Sequence, residues 1–329
     1  MPWPSRRSIP ERVRAPPMRE LPLVSPLDRA LFLKAQPYLA GLPPRVVAAL
    51  AEHTEERELR ARDPIYERGT PPRELLFLST GGVRLQYGEP GGIPPIDVRA
   101  PGGVGLMEHL ARSEEPPAAW ALEDTQALAM DLNVFMQLME EDFQLYQAIA
   151  RSLGRAVLGA RHALGRRCPA EAGYPQGIPD TAPEPLDLVQ KLVRAREAPF
   201  FRETNVTVLT ELLRFQQPRR LSRDTTLWRQ GDPVSSMALV LEGGFETHCA
   251  DVALASPAGS MLGAWEIFAL EPRAETAIAT TESRILEIDR THFTDVLEDR
   301  FEFALDYLGK LARETIRLRS ISPEGRKEQ

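Results

Sequence analysis

Apolar residues recur along the chain with two periods that alternate in blocks. Over residues 44–55 and again over 206–215 they fall at helical spacing. Glu74-Leu-Leu-Phe-Leu-Ser-Thr-Gly81 and Ser236-Met-Ala-Leu-Val-Leu-Glu-Gly243 are short apolar runs closed by glycine, which predicts strands ending in turns. A long helical stripe closes each half: Tyr146, Ile149, Leu153, Ala156, Ala160 and Leu164 in the first, Phe301, Leu305, Leu308, Ala312 and Ile316 in the second. These stripes predict helices over 143–164 and 301–318. Their apolar faces either pack inside the chain or form the seam of a homodimer.

The two halves repeat each other, and a repeat fixes both architectures at once. Ile65, Tyr66, Gly69, Gly81 and Gly82 match Leu227, Trp228, Gly231, Gly243 and Gly244 in one constant register. One loop then changes length, and a second constant register takes over, in which Gly105, Asp131, Phe135, Glu140 and Phe143 match Gly263, Asp289, Phe293, Glu298 and Phe301. Residues 1–26 hold seven prolines among arginines and read as a disordered arm, because such a composition buries too little apolar surface to order itself. Helix breakers every few residues make 167–185 a linker. The expected organisation is therefore arm 1–26, first domain 27–166, linker 167–185, second domain 186–320 and tail 321–329.

The order helix, about eight short strands with glycine corners, then long helix resembles the cyclic-nucleotide-binding domain of the catabolite activator protein and of protein kinase A regulatory subunits. The resemblance spans residues 28–164 and 187–319. Its most specific part is Leu262-Gly-Ala-Trp-Glu-Ile-Phe-Ala-Leu-Glu-Pro-Arg-Ala-Glu-Thr-Ala-Ile-Ala279, which looks like that family's phosphate-binding cassette, Phe-Gly-Glu-Leu-Ala-Leu followed by Pro-Arg-Ala-Ala-Thr. It implies a mainly β fold with flanking helices, in which two tandem β-roll (jelly-roll-like) domains follow one another. It also implies a ligand site at Gly263, Ala264, Glu266, Arg273 and Ala274. A glycine turn feeding a short helix aims backbone N–H groups at an anion, and an arginine can fork a phosphate with two charge-assisted hydrogen bonds.

Several positions depart from the family pattern. Ala264 stands where the family has the carboxylate that accepts the ribose hydroxyl. Glu266, two residues on, is either a substitute for it or a solvated helix residue, and Arg273 is either the phosphate ligand or a surface arginine paired with Glu271 or Glu275. In the first copy Gly105 keeps the glycine, but Leu106 takes the carboxylate position and Glu115 the arginine position. A carboxylate there repels phosphate, so this cassette is expected to be degenerate, with Arg112 nearby and Trp120 as barrel core.

A net charge of −7, from 40 basic and 47 acidic residues, argues against a broad footprint for nucleic acid or anionic lipid. Only Lys34, Lys191, Lys310 and Lys327 among the basic residues are lysine, a skew expected of a GC-rich bacterial genome. Two cysteines, Cys168 and Cys249, make neither a disulfide framework nor a metal-ligand pattern, which fits a reducing cytoplasm. The five histidines never pair at ligand spacing, so no metal is expected. Phosphate-loop, nucleophile-elbow, zinc-helix and dinucleotide motifs are absent from the sequence. With only a short segment after Leu318, no winged helix-turn-helix is expected. The expectation is a cytoplasmic, non-catalytic regulatory or sensor protein of signal transduction, without cofactor, DNA partner or membrane insertion. Its second domain would bind a cyclic nucleotide such as cAMP and signal to a protein partner; the alternative is a ligand-free interaction scaffold.

Overall fold

The structure, a computed structural model, describes residues 25–88, 94–113, 115–175, 186–249, 252–269 and 272–321. The expected arm up to residue 24, the linker from 176 to 185 and the tail from 322 lie outside the described residues.

The first half runs α1 (Pro26–Lys34), α2 (Pro44–Glu52), β1 (Glu55–Leu59), β2 (Pro64–Tyr66), β3 (Glu74–Thr80), β4 (Gly82–Gln86), β5 (Ile96–Arg99), β6 (Gly102–Val104), α3 (Leu106–Ala111), β7 (Ala118–Ala121), β8 (Thr125–Asp131), α4 (Leu132–Glu141) and α5 (Phe143–Leu164). The second runs α6 (Leu188–Glu197), α7 (Val206–Leu213), β9 (Pro218–Leu221), β10 (Thr226–Trp228), β11 (Ser236–Glu242), β12 (Gly244–Cys249), β13 (Val252–Pro257), β14 (Met261–Leu262), β15 (Thr276–Ala279), β16 (Ser283–Asp289), α8 (Arg290–Asp299) and α9 (Phe301–Ile321). Each half folds its eight strands into two antiparallel four-stranded sheets. The orders β1-β8-β3-β6 and β2-β7-β4-β5 recur as β9-β16-β11-β14 and β10-β15-β12-β13. The molecule is two tandem β-rolls with flanking helices.

The strand β3 reads as an unbroken apolar run because its two faces serve two cores. Leu76 and Leu78 point into the roll with Val83, Leu85 and Val104, while Leu75 and Phe77 point the other way, against the helices. The helices that follow each roll start at matching caps. Asp131 accepts from the amides of Asn133 and Val134, and Asp289 from those of Thr291 and His292. One turn in, Phe135 and Phe293 are fully buried at matching positions. The repeat therefore keeps caps and core anchors.

The first helical period stops earlier than expected. Buried Val46, Val47, Leu50 and Ala51 end the apolar face of α2, and Glu55 already begins a strand, paired with Ala129. That strand, Glu-Glu-Arg-Glu-Leu, is charged and exposed and is held by the hydrogen bonds of β8 rather than by any pattern of its own.

The long helices pack on each other inside the chain, the first of the two arrangements open to their apolar faces. Tyr146, Ile149, Leu153 and Val157 of α5 and Leu308, Leu311 and Ala312 of α9 are buried, and the Tyr146 hydroxyl donates to the Ala304 carbonyl at 3.3 Å. Each long helix also covers the opposite copy. Arg155 Nε on α5 donates to the Ala269 carbonyl at 3.1 Å, and its counterpart in the repeat, Arg313 on α9, donates through Nη1 to the Ala111 carbonyl at 3.3 Å. The two acceptors are also counterparts in the same register, so the two rolls exchange lids about an internal pseudo-twofold axis.

Candidate functional site

In the second copy, residues 263–269 form successive turns rather than the short helix the cassette pattern implies, with the Glu266 amide bonded to the Gly263 carbonyl at 3.2 Å. Gly263 has φ +72°, a left-handed backbone that a side chain rarely adopts, and a Cβ there would run into the Arg273 guanidinium. The turn delivers Glu266 inward. The residue is 5 % exposed, and its carboxylate accepts from Arg273 Nη1 at 2.8 Å on one oxygen and from the Ala274 amide at 2.7 Å on the other. Burial pushes the Glu266 carboxyl up, against the pull of Arg273 and the Ala274 amide.

Arg273 is 2 % exposed and does not lie on the surface. Its second terminal nitrogen donates to the Ser236 carbonyl, and its guanidinium carbon sits 3.6 Å from the centre of the Trp228 ring. Glu275, one of the two surface partners expected for it, pairs with Arg161 instead at 3.3 Å, while Glu271 lies outside the described residues. Ala264 is buried, and its carbonyl accepts from the Tyr307 hydroxyl of α9 at 2.7 Å. The space left beside Gly263, Trp228 and Glu266 is about 20 Å³, enough for roughly one water.

The first copy builds the same feature from different partners. Gly105 has φ +107°, and Glu108, the counterpart of Glu266 in the repeat, is 5 % exposed. Its carboxylate accepts from the Gly105 amide and from the Tyr87 hydroxyl, both at 2.9 Å. Glu115 is not the carboxylate facing the seat. Its side chain is 69 % exposed and pairs outward with Arg68 at 3.3 Å. Leu106, half-buried, opens α3 and packs against the main core. Arg112 ends α3, exposed, with φ +47°. Trp120 is not barrel core: in β7 its neighbours Ala119 and Ala121 are the buried positions, and the two-residue period turns Trp120 outward and leaves it half-buried.

The structure thus brings Gly263, Glu266, Arg273 and Ala274 together, while Ala264 turns its carbonyl toward α9. Sequence reasoning missed Glu108, Tyr87, Trp228 and Ser236. Glu108 was findable, since the register that pairs Gly105 with Gly263 also carries Glu266 onto it.

The family model described as the cyclic nucleotide-binding domain matches the chain twice, over residues 56–142 and 218–300, together just over half of its length. The chain belongs to this cyclic nucleotide-binding domain family. Among solved structures it is similar to cAMP-bound PfPKA-R, at 12% identity and TM-score 0.34, covering 87% of this chain and 89% of that one. It is also similar to the regulatory domain of Toxoplasma gondii PKA with cAMP, at 11% identity and TM-score 0.33, covering 87% and 95%. A third is the regulatory subunit of a cAMP-independent protein kinase A from Trypanosoma brucei, at 14% identity and TM-score 0.33, covering 84% and 90%. No curated protein matches the sequence.

The second cyclic nucleotide-binding domain is closed by groups from outside it. Leu158 and Arg161 of α5 and Glu171 line its small cavity. Arg161 is buried and reaches Glu275 at 3.3 Å and Glu171 at 3.6 Å, while the Trp265 indole N–H donates to Glu171 at 3.3 Å. The first part of the expected linker is thus packed into the structure, and the Tyr174 amide, bonded to the Ala258 carbonyl at 2.9 Å, anchors it. The helix α9 answers α5 at the first domain, where Ile316 packs on the interior of the roll. Among the described residues no helix is long and apolar enough to cross a membrane, and no group of acidic, His or Cys side chains is placed to hold a metal ion.

Burial, with Glu275 and Glu314 nearby, pushes the Glu171 carboxyl up to about 7, although Arg161 and the Trp265 N–H pull it down. The folded chain therefore holds this proton more tightly than the unfolded chain, where the group titrates at its ordinary 4.5. Stability from this site falls as pH rises from about 4.5, and the loss is complete above about 7. Glu171→Gln, which cannot ionise, is expected to be favoured relative to the parent at pH 8 and not at pH 5 in thermal unfolding. An equal gap at the two pH values would contradict this.

Proposed function

We propose that the chain is a non-catalytic regulatory module whose second domain works without a bound cyclic nucleotide, because its own Glu266 occupies the anion seat. Family membership points to a regulatory or sensor role. The observation that carries the finer reading is that one carboxylate takes both Arg273 Nη1 and the Ala274 amide, two donors a phosphate would need. The volume agrees with it: about 20 Å³ remains, whereas small-molecule sites hold roughly 300–1,000 Å³. A nucleotide would have to expel Glu266 and lift Leu158 and Arg161 of α5.

In this role the exchanged lids hold the two domains in one arrangement, and the output is a surface for a protein partner. The repeat supports such a surface. Leu27 and Leu31 on α1 are exposed, as are their counterparts Val189 and Val193 on α6, and the two members of each pair lie one helical turn apart.

Thermal unfolding of the full chain with cAMP and with cGMP tests the reading. No shift is expected with either ligand to millimolar concentration. The competing reading, a nucleotide sensor, draws on Gly263 and Arg273 standing at cassette positions. It requires a saturable shift, worth about 2.7 kcal/mol at a hundred times the dissociation constant, and that result would overturn the proposal.

A further inference from the structure

A much larger cleft lies outside the cassette cavity of the second domain, where the two copies meet. It has a volume of about 730 Å³, within the range of small-molecule sites. Its residues come from both cassettes and from the lid: Leu110 and Arg112 at the end of α3, Trp265 of the second cassette, Phe200 and Arg202 before α7, and one face of α9. Each wall is fixed by packing. Phe200 meets Trp265 edge-on at 6.1 Å and Tyr307 at 6.4 Å, and a Cβ on Gly309 would come within 2.9 Å of the Leu110 carbonyl.

The charges in the cleft do not cancel. Among the described residues, six cationic and four acidic side chains line it. Three of the acids are already committed: Asp306 to Lys310, Glu314 to Arg317 and Glu171 to Arg161. On the other side Arg112 and Arg202 are exposed and make no ion pair or side-chain hydrogen bond among the described residues. Lys310 lines the same cleft, with its side chain 11 % exposed and its ammonium 5.2 Å from the centre of the Phe200 ring. An ammonium has three donors, and Asp306 takes one. Burial, with Arg313 nearby, pulls this ammonium down from its ordinary range in spite of Asp306 and Glu203, a remaining cost that a further anion beside it would relieve. The chain as a whole is anionic, so attraction for a negative ligand has to arise locally, and the cleft supplies it.

We propose that this cleft binds a small aromatic molecule carrying one anionic oxygen group, its ring seated on Phe200 and Trp265 and its carboxylate or phosphate held by Lys310, Arg112 and Arg202. A ligand there touches α3 of the first domain, the cassette turn of the second and the helix that caps the first roll. Its binding therefore stabilises one arrangement of the two domains. The cleft shares Arg161, Glu171 and Trp265 with the cassette cavity of the second domain but opens on its own side of them, so its ligand does not require a filled cassette.

The test uses the full chain and three probes of one ring system: 1-naphthoate, 1-naphthyl phosphate and the neutral 1-naphthalenemethanol, measured by isothermal titration calorimetry. Saturable binding is expected for at least one of the two anions, and which of them binds more tightly identifies the head group. The alcohol is expected to bind about tenfold or more weakly. Arg112→Ala with Arg202→Ala removes two exposed, unpaired side chains, so the fold should be retained, as circular dichroism will check. The pair should weaken binding of the anion by about ten- to a hundredfold, the worth of a hydrogen bond to a charged group. Absence of binding for both anions to millimolar, equal affinity for the alcohol, or unchanged affinity in the double variant would each overturn the proposal.

Discussion

Arg273→Ala is expected to destabilise the protein by about 3–5 kcal/mol, the cost of leaving a buried carboxylate without its partner. Glu266 is almost sealed from solvent, and Arg273 is its cationic neighbour at 2.8 Å. The truncation also removes the guanidinium from the Trp228 face and leaves the Ser236 carbonyl without that donor. Guanidinium chloride unfolding followed by tryptophan fluorescence and by circular dichroism measures the loss. Two further variants separate the causes. Glu266→Gln leaves a buried guanidinium with a neutral acceptor and should cost less than Arg273→Ala. The double replacement Glu266→Leu with Arg273→Met removes both charges and should lie close to the parent, because hydrophobic groups of similar volume often replace a buried ion pair at little cost. A loss under about 1 kcal/mol for Arg273→Ala would mean that the arginine behaves as a screened surface group, and the filled anion seat would fall with it.

Enlarging the glycines at the helix crossings should loosen the join between the two rolls. A Cβ on Gly154 would stand 2.9 Å from the Trp265 carbonyl, and one on Gly309 the same distance from the Leu110 carbonyl. Both obstacles are backbone atoms and cannot rotate away. Gly154→Leu and Gly309→Leu should therefore each cost about 1–3 kcal/mol by overpacking, even though leucine is the better helix former. Gly159, on the same helix as Gly154, has no atom within 4 Å of its added Cβ. Gly159→Ala should instead stabilise by about 0.5–1 kcal/mol. The opposite signs are the readout, and a stabilising effect of all three variants would show that α5 and α9 do not approach the opposite cassettes this closely.

Closure of the two rolls gives these predictions a common structural basis. The lid of each roll comes from the other copy, so a change at the second cassette is felt through α5 by the first domain, and a change at α3 through α9 by the second. Glu171, drawn from the segment between the domains, is held at that junction by Arg161 and Trp265.

Much of this was open to reading along the chain. The apolar runs at β3 and β11, the matched positions of the two halves and the helical stripes determined two copies of one strand-and-helix unit, because alternation and periodicity are local consequences of strand and helix geometry, and the family resemblance implied that the unit is a β-roll. Asp131 and Asp289 cap helices through amides two and three residues on, so their meaning was also local. Gly263, Arg273 and Ala274 were legible as neighbours through the resemblance of their segment to the family's phosphate-binding cassette. What the sequence could not decide was whom Arg273 faces. Glu266, Trp228 and Ser236 reach it from a turn and two different strands, and whether Glu266 points inward depends on the chain forming turns instead of a helix there. For the same reason Glu115, at the arginine position by counting, turns out to solvent while Glu108 takes the buried seat. The partner of each apolar stripe was likewise undecided, since a face that suits a second molecule suits a second copy in the same chain equally well. Only the tertiary structure chose, because burial of a charge and the pairing of two helices depend on atoms distant in sequence that arrive together when the chain folds.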